Sequence, residues 1–133
     1  MSWDGRVIPK VRLSDPVFRT KGFWYLATPY AKYPHGHNAA WVDACRIALT
    51  LMKYRINVFS PIAHAHSLAA NGDLSETERN NHAFWMPNDL MILERSCGVL
   101  VAQMDGWDQS KGVGMEIDHA TELDLPVYLL DLT

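Results

Sequence analysis

Three short apolar runs, separated by much longer segments, constrain the fold of this chain more than any other feature. Phe23 to Thr28, Gly98 to Gln103 and Val127 to Leu130 have the length of strands, and polar side chains do not alternate with apolar ones in them. A continuous apolar run of this length indicates a parallel strand that is covered on both faces. The chain is therefore predicted to contain a mainly parallel sheet with helices on either side.

The segments between these runs indicate the same architecture. Apolar side chains have helical spacing from about 39 to 54 and from 82 to 95, and a third helix is expected to end before Pro126. Asn57 to Ile62 is predicted as a further strand, and residues 63 to 81 as an irregular lid or a short helix. Strands that alternate with helices predict the α/β class, here a three-layer α/β/α sandwich with four to five strands of the flavodoxin-like or Rossmann-like kind. The stripe expected to face the core on the first helix is Trp41, Cys45, Ala48, Leu49 and Met52.

The length of 133 residues is that of one domain with its own core. Residues 1 to 21 mix basic residues with scattered apolar ones and have no clear period. They are predicted to be an N-terminal arm that precedes a domain of residues 22 to 133. Two placements of the arm stay open, pairing along a sheet edge and contact with a neighbouring subunit.

Charge and hydropathy exclude several classes of partner. The net charge is −3, and no cluster of Lys and Arg follows residue 21, whereas a nucleic acid polymer is bound largely through such clusters. No apolar run approaches the ~20 residues of a membrane span, and the N-terminus does not have the pattern of a signal peptide. Cys45 and Cys97 lack a Cys-x-x-Cys spacing and are interpreted as reduced. A cytoplasmic protein that binds neither nucleic acid polymer nor membrane is predicted.

The stretch from Ser110 to Glu116 is the main candidate for chemistry. Gly112 and Gly114 are expected to form a tight turn that lets the backbone approach a ligand, and Glu116 to lie in the first turn of the helix that follows. The positive end of the helix dipole would favour an ionised Glu116 at that place. The alternative is an ordinary glycine turn followed by ordinary helix capping.

Ligands of parallel α/β sheets bind beyond the carboxyl ends of the strands. Thr28 ends the predicted strand from Phe23, and Tyr30 comes two residues later. His64 and His66 follow the predicted strand Asn57 to Ile62. All four are predicted to bind substrate at that edge. The histidines are alternatively plain loop residues, and zinc is not expected because no Cys joins them at a ligand spacing.

The pattern Ser-x-Gly-Val-Gly-x-Glu-x-x-x-Ala from Ser110 to Ala120 resembles the catalytic segment of the nucleoside 2-deoxyribosyltransferase superfamily. It is closest there to the branch that hydrolyses 2'-deoxynucleoside 5'-monophosphates. Tyr-Leu-Ala-x-Pro-Tyr, Phe-Ser-Pro-Ile-Ala-His and Gly-Trp-x-x-Ser-x-Gly-Val resemble a branch of small proteins of unassigned function most closely. The resemblance covers about residues 23 to 130.

The resemblance implies roles for individual residues. Glu116 matches the nucleophile that attacks the anomeric carbon, and Asp89, in Asn-Asp-Leu, matches the acid that helps the base to leave. Tyr25 matches the tyrosine that orients the nucleophile, and Ser110 the serine that binds a 5'-phosphate. Thr28 stands where the phosphate-binding branch begins a loop rich in Gly, Ser and Arg, so this chain departs from that branch there. From the residues alone, Tyr25 could be a core aromatic, Asp89 a surface helix residue and Ser110 a loop serine.

The predicted function is cleavage of the N-glycosidic bond of a 2'-deoxynucleoside or its 5'-monophosphate, by hydrolysis or base exchange. The reaction would use a glutamyl glycosyl-enzyme intermediate and neither metal nor cofactor. The alternative is a nucleotide-binding module without catalysis. The superfamily also implies a homodimer or homotetramer with sites near subunit contacts.

Overall fold

The computed structural model describes residues 2–3 and 6–132, and its centre is a five-stranded sheet. All neighbouring strands of this sheet are parallel, and their spatial order is β3, β7, β6, β4, β5. A separate antiparallel pair precedes them, β1 (Ser2–Trp3) and β2 (Arg6–Val7). The five strands are β3 (Lys10–Arg12), β4 (Trp24–Ala27), β5 (Val58–Phe59), β6 (Val99–Val101) and β7 (Val127–Asp131).

Helices connect the strands and cover both faces of the sheet. They are α1 (His37–Lys53), α2 (Pro61–Asn71), α3 (Glu76–Arg79), α4 (His82–Glu94) and α5 (Lys111–Glu122), with short 3-10 helices at Pro16–Phe18 and Trp107–Gln109. The predicted α/β/α sandwich with a parallel sheet is confirmed. None of the described helices is long and apolar enough to cross a membrane.

Strand β4 shows why the apolar run was continuous. All four of its residues are buried, and the alternation of side chains divides them between two cores. Tyr25 and Ala27 pack with Leu93 of α4 and with α5, whereas Trp24 and Leu26 pack with Leu51 of α1. The central strand therefore needs apolar side chains on both faces.

The core-facing side of α1 differs from the predicted stripe. Ala40, Ala44 and Leu51 are its buried residues, whereas Leu49 is 53% and Met52 59% exposed. Two alanines let the helix lie close to its neighbours, and this sets its rotation. The prediction was wrong for Leu49 and Met52 and missed Ala40 and Ala44, whereas Ala48 packs against the core as expected.

The segment after β5 is also more regular than predicted. Ser60 accepts a hydrogen bond from the backbone N–H of Ala63, and Pro61 occupies the first turn of α2, where its missing N–H costs nothing. A capping box between Ser75 and Glu78 begins α3. Of the two alternatives predicted for residues 63 to 81, an irregular lid and a short helix, the structure shows helix: α2 and α3, joined by a short loop.

The N-terminal segment contributes to the main sheet. Strand β3 is the edge strand of the sheet and pairs in parallel with β7, with Val11 opposite Leu130. Val11 and Ile8 are buried in opposite cores. The sequence left two placements open for residues 1 to 21, pairing along a sheet edge and contact with a neighbouring subunit. Residues 10 to 12 pair along the sheet edge.

The chain order of the strands places a crevice at one end of the sheet. The connection after β4 leads to β5 on one side, and the connection after β6 leads to β7 on the other, so the chain leaves the carboxyl ends of these two neighbouring strands in opposite directions. Ligands of open α/β sheets bind in such a crevice.

Candidate active site

A cavity of about 600 Å³ lies beyond the carboxyl ends of β4 and β6. Its lining brings together residues from four parts of the chain: the segment after β4, helix α2, the α3–α4 region and the start of α5. Among the lining residues are Thr28, Tyr30, His66, Asp89, Ser110, Gly112 and Glu116. Seven of the ten predicted site residues therefore surround one cavity.

Glu116 is the best-positioned of these side chains. It is 4% exposed, and the hydroxyl of Tyr25 donates a hydrogen bond to its Oε2. Tyr25 itself is fully buried under the cavity in β4. Burial, followed by the charges of Glu116 and Asp89, raises the pKa of Tyr25 well above its usual value, so this hydroxyl keeps its proton and acts as the donor.

The segment that carries Glu116 is helical from Lys111, and the expected glycine turn is absent. Gly112 and Gly114 lie within α5, where neither has a positive φ, and the hydroxyl of Ser110 caps the helix by accepting from Val113 N at 3.3 Å. Glu116 is consequently the sixth residue of α5 and lies in its second turn. A Cβ on Gly112 would lie 3.5 Å from His82 Cε1 and 3.6 Å from Met86 Cε, which is ordinary van der Waals contact, so the packing of α5 against α4 leaves room for a larger residue there.

The expectation of an ionised Glu116 is also wrong. Burial raises its pKa to about 8, the hydrogen bond from Tyr25 opposes this rise, and the charge of Asp89 adds to it. The dipole argument required a place in the first turn of the helix, and Glu116 lies beyond it.

Asp89 is a second buried carboxyl group on the cavity wall. It lies in the middle of α4, is 6% exposed, and is thus no surface helix residue. Burial raises its pKa to about 6, and a hydrogen bond with Asn88 opposes the rise. The two carboxyl groups interact, so between about pH 6 and 8 they hold one proton between them.

Aromatic side chains form another part of the wall. His66 stacks on Trp41, with ring centroids 4.7 Å apart, and its Nδ1 is hydrogen-bonded to the hydroxyl of Tyr30 at 2.8 Å. Burial, with smaller contributions from the charges of His37 and Arg79, lowers the pKa of His66. Its imidazole is therefore neutral at neutral pH and offers a flat, polar-edged surface.

Three predicted residues do not line the cavity. Tyr25 acts from beneath it through Glu116, and Gly114 lies further along α5. His64 is exposed in the first turn of α2, against Phe59. Successive residues of a helix are about 100° apart, so His64 and His66 point about 200° from each other. They cannot form the shared wall that an extended segment would have given.

Other lining residues were not predicted from the sequence. Arg79 and Trp85 connect the elements around the opening: Arg79 donates to the carbonyl of Ala69 at 3.0 Å, and Trp85 Nε1 donates to the carbonyl of Arg79 at 2.9 Å. The Ser-x-x-Glu pattern of the capping box at Ser75 was the available signal for this arrangement. Within residues 2–3 and 6–132, no three His, Cys, Asp or Glu side chains are grouped as metal ligands.

Comparison with known proteins gives one match. The model of a domain of unknown function, DUF1937, matches residues 22–132, which is all but the N-terminal arm and the last residue. Neither a curated protein nor a solved structure matches the chain.

Proposed function

The chain belongs to the DUF1937 family, a domain of unknown function, and we propose that its cavity cleaves the N-glycosidic bond of a 2'-deoxynucleoside or its 5'-monophosphate. One observation carries the proposal: buried Glu116 is held by the hydroxyl of buried Tyr25, and a second buried carboxyl group, Asp89, lines the same cavity. Two carboxyl groups with separate tasks are what glycosidic cleavage commonly uses. The motif resemblance assigns the same three residues.

The first step forms a glycosyl ester. The Glu116 carboxylate attacks the anomeric carbon opposite the base, and the carbon–oxygen bond forms as the bond to the base nitrogen breaks. The electron pair stays on the base, and Asp89 donates a proton to it. Water or a second base then attacks the anomeric carbon, the ester electrons return to Glu116, and Asp89 accepts the proton of the incoming group.

The reactive form places the shared proton on Asp89. In the empty cavity the proton favours Glu116, whose pKa of about 8 exceeds the value of about 6 for Asp89. Moving it to Asp89 costs free energy, because burial disfavours the charged form of Glu116. The positive charge that develops on the sugar offsets this cost, because it lies against the ionised Glu116.

The rest of the lining suits a nucleoside or nucleotide. Tyr30, His66 and Trp85 offer flat surfaces for a base. Arg79 and Lys111 are exposed lining residues that would pair with a 5'-phosphate. Ser110, the match to the superfamily's phosphate-binding serine, already uses its hydroxyl as a helix cap, so phosphate would meet it at the start of α5.

The test is release of free base. The protein is incubated with the four common 2'-deoxynucleosides and their 5'-monophosphates, with and without an added acceptor base, and the products are separated by chromatography. Base release by the wild type and none by Glu116→Gln is the expected result. Binding without release of base would instead indicate the non-catalytic nucleotide-binding module.

The proposal extends to assembly and location. Leu49, Met52 and Tyr54 at the end of α1 and Leu68 of α2 are about half exposed or more, and apolar area of this kind is usually covered by a partner. A homodimer or homotetramer would cover it, and light scattering at micromolar concentration measures which forms. Cys45 and Cys97 are both free thiols, which suits the reducing cytoplasm.

A further inference from the structure

Thr28 has an unusual position for a hydroxyl group. It follows the last residue of β4, is 4% exposed and lines the cavity. Its Oγ1 is inaccessible to solvent and has no hydrogen-bond partner among the residues that the structure describes. Buried hydroxyls are usually paired, because burying one without a partner destabilises the fold.

Two exposed threonines of the chain, unlike the buried Thr28, have hydrogen-bond partners for their hydroxyls. Thr50 and Thr121 each donate to the backbone carbonyl four residues earlier, at 2.9 and 2.8 Å. The described part of the chain contains a second unpaired buried atom, Trp24 Nε1, but this ring packs against Phe18 and Tyr128 in the core on the α1 side. Thr28 therefore combines an unpaired hydroxyl with a place on the cavity wall.

The charges around the cavity restrict what can pair with this hydroxyl. Glu116 and Asp89 are buried carboxyl groups and disfavour a phosphate beside them, whereas the cationic Arg79 and Lys111 are exposed. The flat aromatic surfaces suit the base. The neutral polar group that remains, and that must lie near Glu116 for the reaction to occur, is the pentose.

We propose that Thr28 is a specificity-determining residue whose Oγ1 hydrogen-bonds a hydroxyl group of the substrate's sugar. The identity of the occupant as a pentose rests on the proposed function, whereas the unpaired hydroxyl does not. A site built to bond a substrate hydroxyl rejects the analogue that lacks it, because the buried group of the protein is then left unpaired. Thr28 thus selects sugars that present this hydroxyl.

Thr28→Val separates this role from a structural one, because it keeps the shape of the side chain and removes only the hydroxyl. Without ligand, the variant is expected to melt at a higher temperature than the wild type, since an unpaired buried group has been removed. With ligand, it is expected to bind more weakly. A hydroxyl that supported the fold would lower the melting temperature when removed, and one that bonded only water would leave ligand binding unchanged.

The experiment measures binding by the change in tryptophan fluorescence, since Trp85 lines the cavity. The ligands are the 2'-deoxynucleosides of the four common bases and their 2',3'-dideoxy and 2',5'-dideoxy counterparts. The wild type and Thr28→Ser are expected to bind the 2'-deoxynucleosides about tenfold more tightly than one of the two dideoxy series, the one that lacks the hydroxyl bonded by Thr28. A tenfold ratio is that of a single lost hydrogen bond. Thr28→Val is expected to bind both alike, and Thr50→Val, the matched control, is expected to keep the wild-type ratio.

Each outcome decides the proposal. The proposal would be overturned if Thr28→Val kept the wild-type ratio of affinities for the 2'-deoxynucleoside and its dideoxy analogue. It would also be overturned if the wild type bound none of the ligands, or if Thr28→Val did not fold. Loss of the preference in a protein that releases no base would support the role of Thr28 and refute the proposed reaction. Base release by the wild type, with an unchanged affinity ratio in Thr28→Val, would support the proposed reaction and refute the role of Thr28.

Discussion

Tyr25→Phe removes one hydroxyl from a buried site and leaves the ring in place. That hydroxyl donates to Glu116, whose carboxylate must be ionised and aimed to attack the sugar. A hydrogen bond to a charged group is worth about 1.5 to 3 kcal/mol. At about 1.4 kcal/mol for each factor of ten, kcat/KM is expected to fall by about 10- to 150-fold.

The pH profile gives a second and more specific expectation. Activity requires one proton on the pair of carboxyl groups, so the wild type should be active between limbs near pH 6 and pH 8, which belong mainly to Asp89 and Glu116. The hydrogen bond from Tyr25 lowers the pKa of Glu116. Its loss is expected to move the upper limb to higher pH by about 1 to 2 units, as 1.5 to 3 kcal/mol corresponds to that shift.

The assay is base release as a function of pH, compared with Tyr128→Phe. Tyr128 also packs in the core, but on the opposite face of the sheet, against Trp24. This control should keep the wild-type rate and both limbs. A folded Tyr25→Phe protein with wild-type kcat/KM and an unmoved upper limb would refute the reasoning and make Tyr25 an ordinary core aromatic.

Three further predictions follow from the same geometry. Asp89→Asn is expected to slow substrates with poor leaving groups at least tenfold more than activated ones, measured as kcat/KM for a series of bases; equal slowing would make Asp89 structural. Glu116 holds its proton more tightly in the folded than in the unfolded chain, so its contribution to stability is lost as pH rises from about 4.5 to about 8. Between pH 5 and 9, the melting temperature of Glu116→Gln should therefore rise relative to that of the wild type by several degrees. Deleting residues 1 to 12 removes buried Ile8 and Val11 with β3 and should lower the free energy of unfolding by at least about 3 kcal/mol; an unchanged denaturation midpoint would contradict this.

Much of the fold was predictable because the buried strands are apolar on both faces. Strands β4 and β6 and helix α4 lie close to their predicted positions, since long or continuous apolar patterns leave few alternatives. The rotation of α1 was not predictable in this way. Its small residues, Ala40 and Ala44, decide which side meets the sheet, and a pattern of large side chains does not reveal them.

The start of α5 was missed for a different reason. Gly112 and Gly114 disfavour a helix by about 1 kcal/mol each relative to alanine, so they indicate a turn when the sequence is read alone. In the folded chain the Ser110 cap and the burial of Val113 and Ile117 offset this cost. Tertiary packing therefore overrode the local preference of the glycines. The helix begins earlier than predicted, so Glu116 lies in its second turn and not in its first.

The site residues could be predicted from the sequence, but their surroundings could not. Glu116, Asp89 and Tyr25 could be selected from sequence motifs, but their burial and the shared proton depend on how α4, α5 and β4 pack together. Likewise, the sequence places Thr28 at the end of a strand, whereas the lack of a partner for its hydroxyl is a property of the folded surroundings.

The most direct test of the central claim is detection of the covalent intermediate. A 2'-deoxynucleoside that carries a fluorine at C2' slows both formation and breakdown of the ester, because fluorine withdraws electrons from the sugar cation, and a good leaving base keeps the first step accessible. After a brief reaction, intact-mass and peptide mass spectrometry are expected to show one fluorinated sugar unit on Glu116, and none on Glu116→Gln. Base release by the wild type with no adduct on Glu116, together with retained activity in folded Glu116→Gln, would contradict the account.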